Sequence, residues 1–131
     1  MAKNTFSYVI VDDDETWSLT LKKLLSNYPQ LDFSGYFTDS VSGLMGINRI
    51  QPDLLFLDWN IDTFKAPDII ETLETKPIIV LISSDPDIKN QKVESNVFAF
   101  LEKPISNQKK LSLIIRQITG VLQASSLMDS M

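Results

Sequence analysis

Residues 8–15 read YVIVDDDE, an apolar tetrad that runs without a break into four consecutive carboxylates. A short apolar run bounded abruptly by acid reads as a buried strand with chemistry at its tip. Like charges crowded there raise one another's pKa values and cost stability, so an opposing charge is required nearby.

Working outward, apolar runs of strand length alternate with segments of helical period, five times over, which is the pattern of an α/β domain. Phe6 to Val11 is the first strand, and Trp17, Leu21, Leu24, Leu25 and Tyr28 share one helical face that Pro29 ends. Phe33 to Phe37 predicts a second strand, followed by a helix whose apolar side carries Val41, Leu44, Met45, Ile47 and Ile50. Leu54 to Leu57 is too short for a helix and lacks alternation, which fits a strand buried on both faces and ending at Asp58. Pro67, Asp68 and Glu71 suit the first turn of a short third helix before Lys76-Pro77. Ile78 to Ile82 is the fourth strand, Asp85-Pro86 opens a polar fourth helix, and Val97 to Leu101 is the fifth strand. Leu111, Ile114, Ile115, Ile118, Val121 and Leu122 predict the final helix. Residues 1–122 are expected to form one domain with no effector domain attached, and residues 123–131, QASSLMDSM, a frayed tail.

Composition narrows the chemistry. The 131 residues include no cysteine and no histidine, which excludes disulfides, thiolate or imidazole metal ligands, cysteine nucleophiles and Ser-His-Asp catalysis. Carboxylates and lysine remain. A net charge of -5 without any dense Lys/Arg window argues against nucleic-acid binding. Apolar runs such as Ile78 to Ile82 are too short to span a bilayer, and MAKNTFSY lacks a secretory core, so a cytoplasmic protein without membrane contact is expected.

Ligands of open parallel sheets bind outside the carboxyl ends of the strands. The residues after each run are Asp12 and Asp13, then Asp58, then Ser83 and Ser84, then Lys103. Three carboxylates invite a hard cation such as Mg²⁺, which takes oxygen ligands and phosphate together. Lys103 and a serine hydroxyl are suited to neutralise and hydrogen-bond a transferring phosphoryl group.

In order, VIVDDDE, PDLLFLD, VLISS and FLEKP resemble the receiver (CheY-like) domain of two-component response regulators, over about residues 6 to 122. The resemblance implies a doubly wound, flavodoxin-like (βα)5 fold with a parallel five-stranded sheet in the order 2-1-3-4-5. It implies that Asp58 accepts a phosphoryl group from a sensor histidine kinase or phosphotransfer protein. Mg²⁺ is then expected on Asp13, Asp58 and the Asn60 carbonyl, with Asp12 assisting directly or through water. Lys103 matches the family's lysine before proline, Ser83 its switch hydroxyl with Ser84 as a rival, and Phe100 its switch aromatic. The expected product is a stand-alone, phosphorylation-driven interaction switch, monomeric or dimerising on phosphorylation. Its output protein is expected to dock on the fourth helix, fifth strand and fifth helix.

Some positions depart from the family. Ile61-Asp62 and Ala66 replace the usual Met-Pro and Gly, and Asp62 is expected to add charge near the pocket. A degenerate receiver acting as a constitutive binding module is one alternative. A haloacid-dehalogenase-like phosphatase is another, with Asp12 as nucleophile and Asp14 as acid, although Asp14 also suits a helix N-cap. Lys109-Lys110 reads as a solvated helix face.

Overall fold

In this computed structural model the described residues are 4–62, 65–85, 87–88, 97–106 and 108–129. The chain runs β1 (Phe6–Val11), α1 (Glu15–Leu25), β2 (Leu31–Phe37), α2 (Ser40–Ile50), β3 (Leu54–Asp58), α3 (Ala66–Thr72), β4 (Ile78–Ser83), β5 (Val97–Glu102) and α4 (Gln108–Asp129). All strand pairs are parallel and the sheet order is β2-β1-β3-β4-β5, as expected. The chain leaves β1 outward to β2 and then crosses back to β3. The topological reversal therefore lies between β1 and β3, where crevices form at the carboxyl ends.

Alternation along the strands divides two cores. Tyr8, Ile10, Leu54, Phe56, Val80, Ile82 and Leu101 face α1 and α4, meeting Leu21, Leu25, Leu111, Ile115 and Ile118. Val9, Val11, Leu55, Leu57, Ile79 and Leu81 face α2 and α3, meeting Ile47, Ile69 and Ile70. Every residue of β3 is buried, which explains its unbroken apolar run.

The second helix matches the sequence expectation in part: Leu44, Ile47 and Ile50 pack on the core under α2 and α3. Val41 and Met45, read as core, are 48% and 69% exposed, while Gly43 and Gly46 are buried against the sheet. A Cβ on Gly43 would lie 2.8 Å from Val11 Cγ1, and one on Gly46 would collide with the Phe37 ring. The helix is held both by Leu44, Ile47 and Ile50 and by close backbone approach at the two glycines, so hydrophobic periodicity finds part of the buried face and adds Val41 and Met45 to it falsely. At its end Gln51 takes a left-handed conformation, φ 54°, and its amide donates to the Ile47 carbonyl.

The last helix also differs. Residues 123–129, expected to fray, continue α4 to Asp129, because QASSLMD contains no glycine or proline and several good helix formers. Among the described residues α4 is long and apolar enough to cross a membrane, yet Leu111, Ile114, Ile115 and Ile118 are core residues. The helix expected after Asp85-Pro86 falls on residues 86 and 89–96, outside the described residues. At its expected start the Asp87 amide donates to Asp85 Oδ1 at 2.9 Å, and the Ile88 amide donates to the Asp85 carbonyl at 3.3 Å.

Two glycines give opposite predictions. Gly46→Ala should destabilise the protein by about 1–3 kcal/mol through overpacking against Phe37. Gly120, mid-helix in α4, has nothing within 4 Å of a built Cβ, so Gly120→Ala should stabilise by about 1 kcal/mol. Thermal or denaturant unfolding of both variants checks the pair.

Candidate functional site

The site is assembled by strand ends. The Asp12 amide donates to the Phe37 carbonyl at 3.0 Å, extending the β1–β2 ladder by one residue and holding the Asp12 carboxylate out of water. Asp12 Oδ1 accepts the Asp14 amide at 2.8 Å. Asp13 is exposed, and Asp14 caps α1 by accepting the Trp17 amide at 3.0 Å. That engagement sets Asp14 to a structural task, not to the acid role of the phosphatase alternative.

Asp58 closes β3 and is buried; its Oδ1 accepts the Asn60 amide at 3.3 Å. Lys103 arrives from β5, with its amide donating to the Ser83 carbonyl at 3.0 Å and a cis bond to Pro104. Its Nζ lies 2.7 Å from Asp12 Oδ2 and 3.3 Å from Asp58 Oδ2. One ammonium thus bridges two buried carboxylates.

Strand alternation explains who arrives. Positions 12, 58, 84 and 103 continue the parity of Ile10, Phe56, Ile82 and Leu101, the residues facing α1 and α4. Asp58, Ser84, Lys103, Asp13 and Asn60 line one open cleft of about 460 Å³, together with Trp17. Ser83 has the opposite parity and is buried, its Oγ accepting the Asp85 amide at 2.9 Å. Phe100 likewise packs, half-buried, against the core under α2 and α3. The two residues named for switching therefore sit away from the cleft, and Ser84 is the serine that lines it.

Asp62, expected to add charge near the pocket, is engaged at the start of α2. Its Oδ1 accepts the Ser40 amide at 2.8 Å at the N-terminus of α2, where negative charge is favoured. Ala66 is fully buried at the first turn of α3. Trp17 is the residue that sequence reading assigned to the core alone. It belongs to the core beside α4 but also lines the cleft, with Lys103 Nζ 5.0 Å from its ring centroid. Its place just after the acidic loop is the only sequence sign of that second contact.

Burial, and then the charge of Asp12, push the Asp58 carboxyl up to about 7, against the opposing pull of Lys103 and the Asn60 amide. Burial by itself would lower the Lys103 pKa, but its hydrogen bond to Asp12 and the two nearby carboxylates outweigh that and hold it above the ordinary value. Oxygens of Asp12, Asp13 and Asp58 all lie within 4.8 Å of one another. Fully ionised, three carboxylates against one ammonium leave two formal negative charges. An all-oxygen donor set with that deficit fits a hard divalent cation such as Mg²⁺.

This fold and strand-end cluster belong to a recognisable class: the chain is a member of the response regulator receiver domain family, whose pattern it matches over residues 8–116. It is 27% identical over 112 residues to an uncharacterized response regulatory protein of Vibrio cholerae, covering 84% of this chain and 47% of that protein. It is 25% identical over 103 residues to the transcriptional regulatory protein BtsR of Escherichia coli K12, covering 77% of this chain and 43% of that protein. The chain thus spans about half the length of the curated relatives it matches. The response regulatory domain of protein mrkE from Klebsiella pneumoniae has the same fold, with TM-score 0.79, 22% identity and coverage of 90% and 98% of the two chains. The signal receiver domain of an HD domain-containing protein from Pseudomonas fluorescens Pf-5 gives TM-score 0.77 at 21% identity, over 92% and 98%.

Because folding raises the Asp58 pKa, the protonated form favours the native state, and that stabilisation fades as pH rises from about 4 toward 7. In metal-free protein, Asp58→Asn should therefore raise the melting temperature by several degrees at pH 8 and by much less at pH 4.5. Melting curves of both proteins in chelator, across that range, provide the check.

Proposed function

We propose that this receiver domain is a Mg²⁺-dependent phosphorylation switch in which Asp58 accepts the phosphoryl group. The observation that carries this reading is the Lys103 ammonium set between the Asp12 and Asp58 carboxylates, at the mouth of a cleft open enough for a phosphoryl donor. A sensor histidine kinase or phosphotransfer protein is the proposed donor.

An Asp58 oxygen attacks phosphorus, forming an O–P bond while the P–N bond to the donor imidazole breaks and that nitrogen recovers a proton. Asp12, Asp13 and Asp58 would supply carboxylate oxygens to hold Mg²⁺, and the Asn60 carbonyl would add to that oxygen set. The chemistry such a cation would supply when bound is neutralisation of charge on the phosphoryl oxygens. Lys103 releases its contact with Asp58 and takes up a phosphoryl oxygen, remaining anchored to Asp12. Water later cleaves the acyl phosphate and restores Asp58.

The proposed switch couples through Ser83 and Phe100. Ser84 on the cleft side takes a phosphoryl oxygen, and the pull on the end of β4 draws Ser83 from the Asp85 amide, which loosens the start of the loop after β4. The Phe100 ring, packed partly buried on the same side of the sheet, then gains room to turn inward. A population shift of the surface around β5 and α4 carries the signal to an output protein. Ser84 lines the cleft already and holds the phosphoryl group from the solvent side.

Incubating the chain with a small acyl phosphate and Mg²⁺, then mapping the modified residue by mass spectrometry, tests the reading. One added phosphoryl group on Asp58 is expected, absent when Mg²⁺ is chelated before the donor is added and reduced at least tenfold in Lys103→Met. Modification elsewhere, or none, contradicts it.

A further inference from the structure

We infer that Trp17 is a positioning residue for Lys103: its indole face holds the ammonium in the bridging place between Asp12 and Asp58. The inference rests on the proposed phosphoryl transfer and adds a residue to it.

A lysine ends in a compact charge on a flexible four-carbon stem, and fixing it has an entropic cost. The two carboxylates attract Lys103 but do not by themselves define one rotamer. Trp17 supplies the missing wall. Lys103 Nζ stands 5.0 Å from the indole centroid, inside the roughly 6 Å reach of a cation–π contact. Both side chains are largely out of water, Trp17 at 8% and the Lys103 side chain at 13% exposure, where such a contact is strongest.

The ring itself is firmly seated. The Trp17 amide is held by Asp14 Oδ1 at 3.0 Å, and the Asp14 amide is held by Asp12 Oδ1 at 2.8 Å. Residues 12–17 thus present Lys103 with a carboxylate and a π-face from one short, internally bonded segment. Movement of the acid loop carries the aromatic wall with it. The ring also closes one side of the cleft that Asp58 opens into, so the ammonium is kept facing the space a phosphoryl oxygen would enter.

A second lysine–aromatic pair serves as an internal control. Lys22 Nζ lies 4.1 Å from the Phe33 centroid, on α1 and β2 and away from the cleft.

The test has two arms. In the first, the rate of Asp58 phosphorylation by a small acyl phosphate is measured with Mg²⁺ for wild type, Trp17→Leu, Trp17→Phe and Phe33→Leu. Trp17→Leu should slow the rate about tenfold, Trp17→Phe should restore it to within about threefold, and Phe33→Leu should leave it unchanged. The Mg²⁺ dissociation constant should be equal in all four. In the second arm, Trp59→Phe leaves Trp17 as the only tryptophan, and adding Lys103→Met should shift its emission. This arm needs no activity. A wild-type rate in Trp17→Leu, a parallel loss of Mg²⁺ affinity, or an unmoved emission overturns the inference. A wild type that takes up no phosphoryl group instead overturns the proposed function.

Discussion

Two carboxylates held out of water side by side, with one ammonium between them, set the terms for the rest of this molecule. Asp12 and Asp58 end adjacent strands of the sheet centre, where neither can move apart without breaking the β1–β3 pairing that buries Val11 and Leu57. Their repulsion is a property of the fold, and Lys103 answers only part of it. The remaining negative charge suits this all-oxygen cluster to a hard divalent cation.

The sheet keeps chemistry and its proposed readout on opposite sides. The parity that sends Asp12, Asp58 and Lys103 toward α1 sends Ser83 and Phe100 toward α2 and α3. In the proposed switch a change at the cleft passes through the end of β4, where consecutive residues Ser83 and Ser84 face opposite ways. Bistability at such a point needs only small shifts, since packed cores resist continuous deformation.

Much of this was legible in the sequence. The strand–helix alternation and the acids after VIV and LLFL gave the fold class and brought Asp12, Asp13, Asp58 and Lys103 together correctly, because strand ends in a parallel sheet leave little freedom. Helix α2 was legible only through Leu44, Ile47 and Ile50, since contact through Gly43 and Gly46 leaves no apolar signature while Val41 and Met45 leave a false one. The partner of Asp62 was not legible because sequence proximity to Asp58 does not reveal which way a loop turns, and here it turns to the Ser40 amide. Trp17 was hidden by doing two things at once, packing in a core that periodicity detects and walling a cleft that it does not.

The central claim is that these acids and Lys103 form one site with a charge deficit suited to a divalent cation. Melting curves in chelator and in millimolar Mg²⁺ test it most directly, because a ligand that binds only the native state raises the melting temperature. The account predicts a clear rise for the wild-type chain, mostly abolished by Asp13→Asn. Identical curves with and without Mg²⁺, or a rise that Asp13→Asn leaves intact, would contradict it.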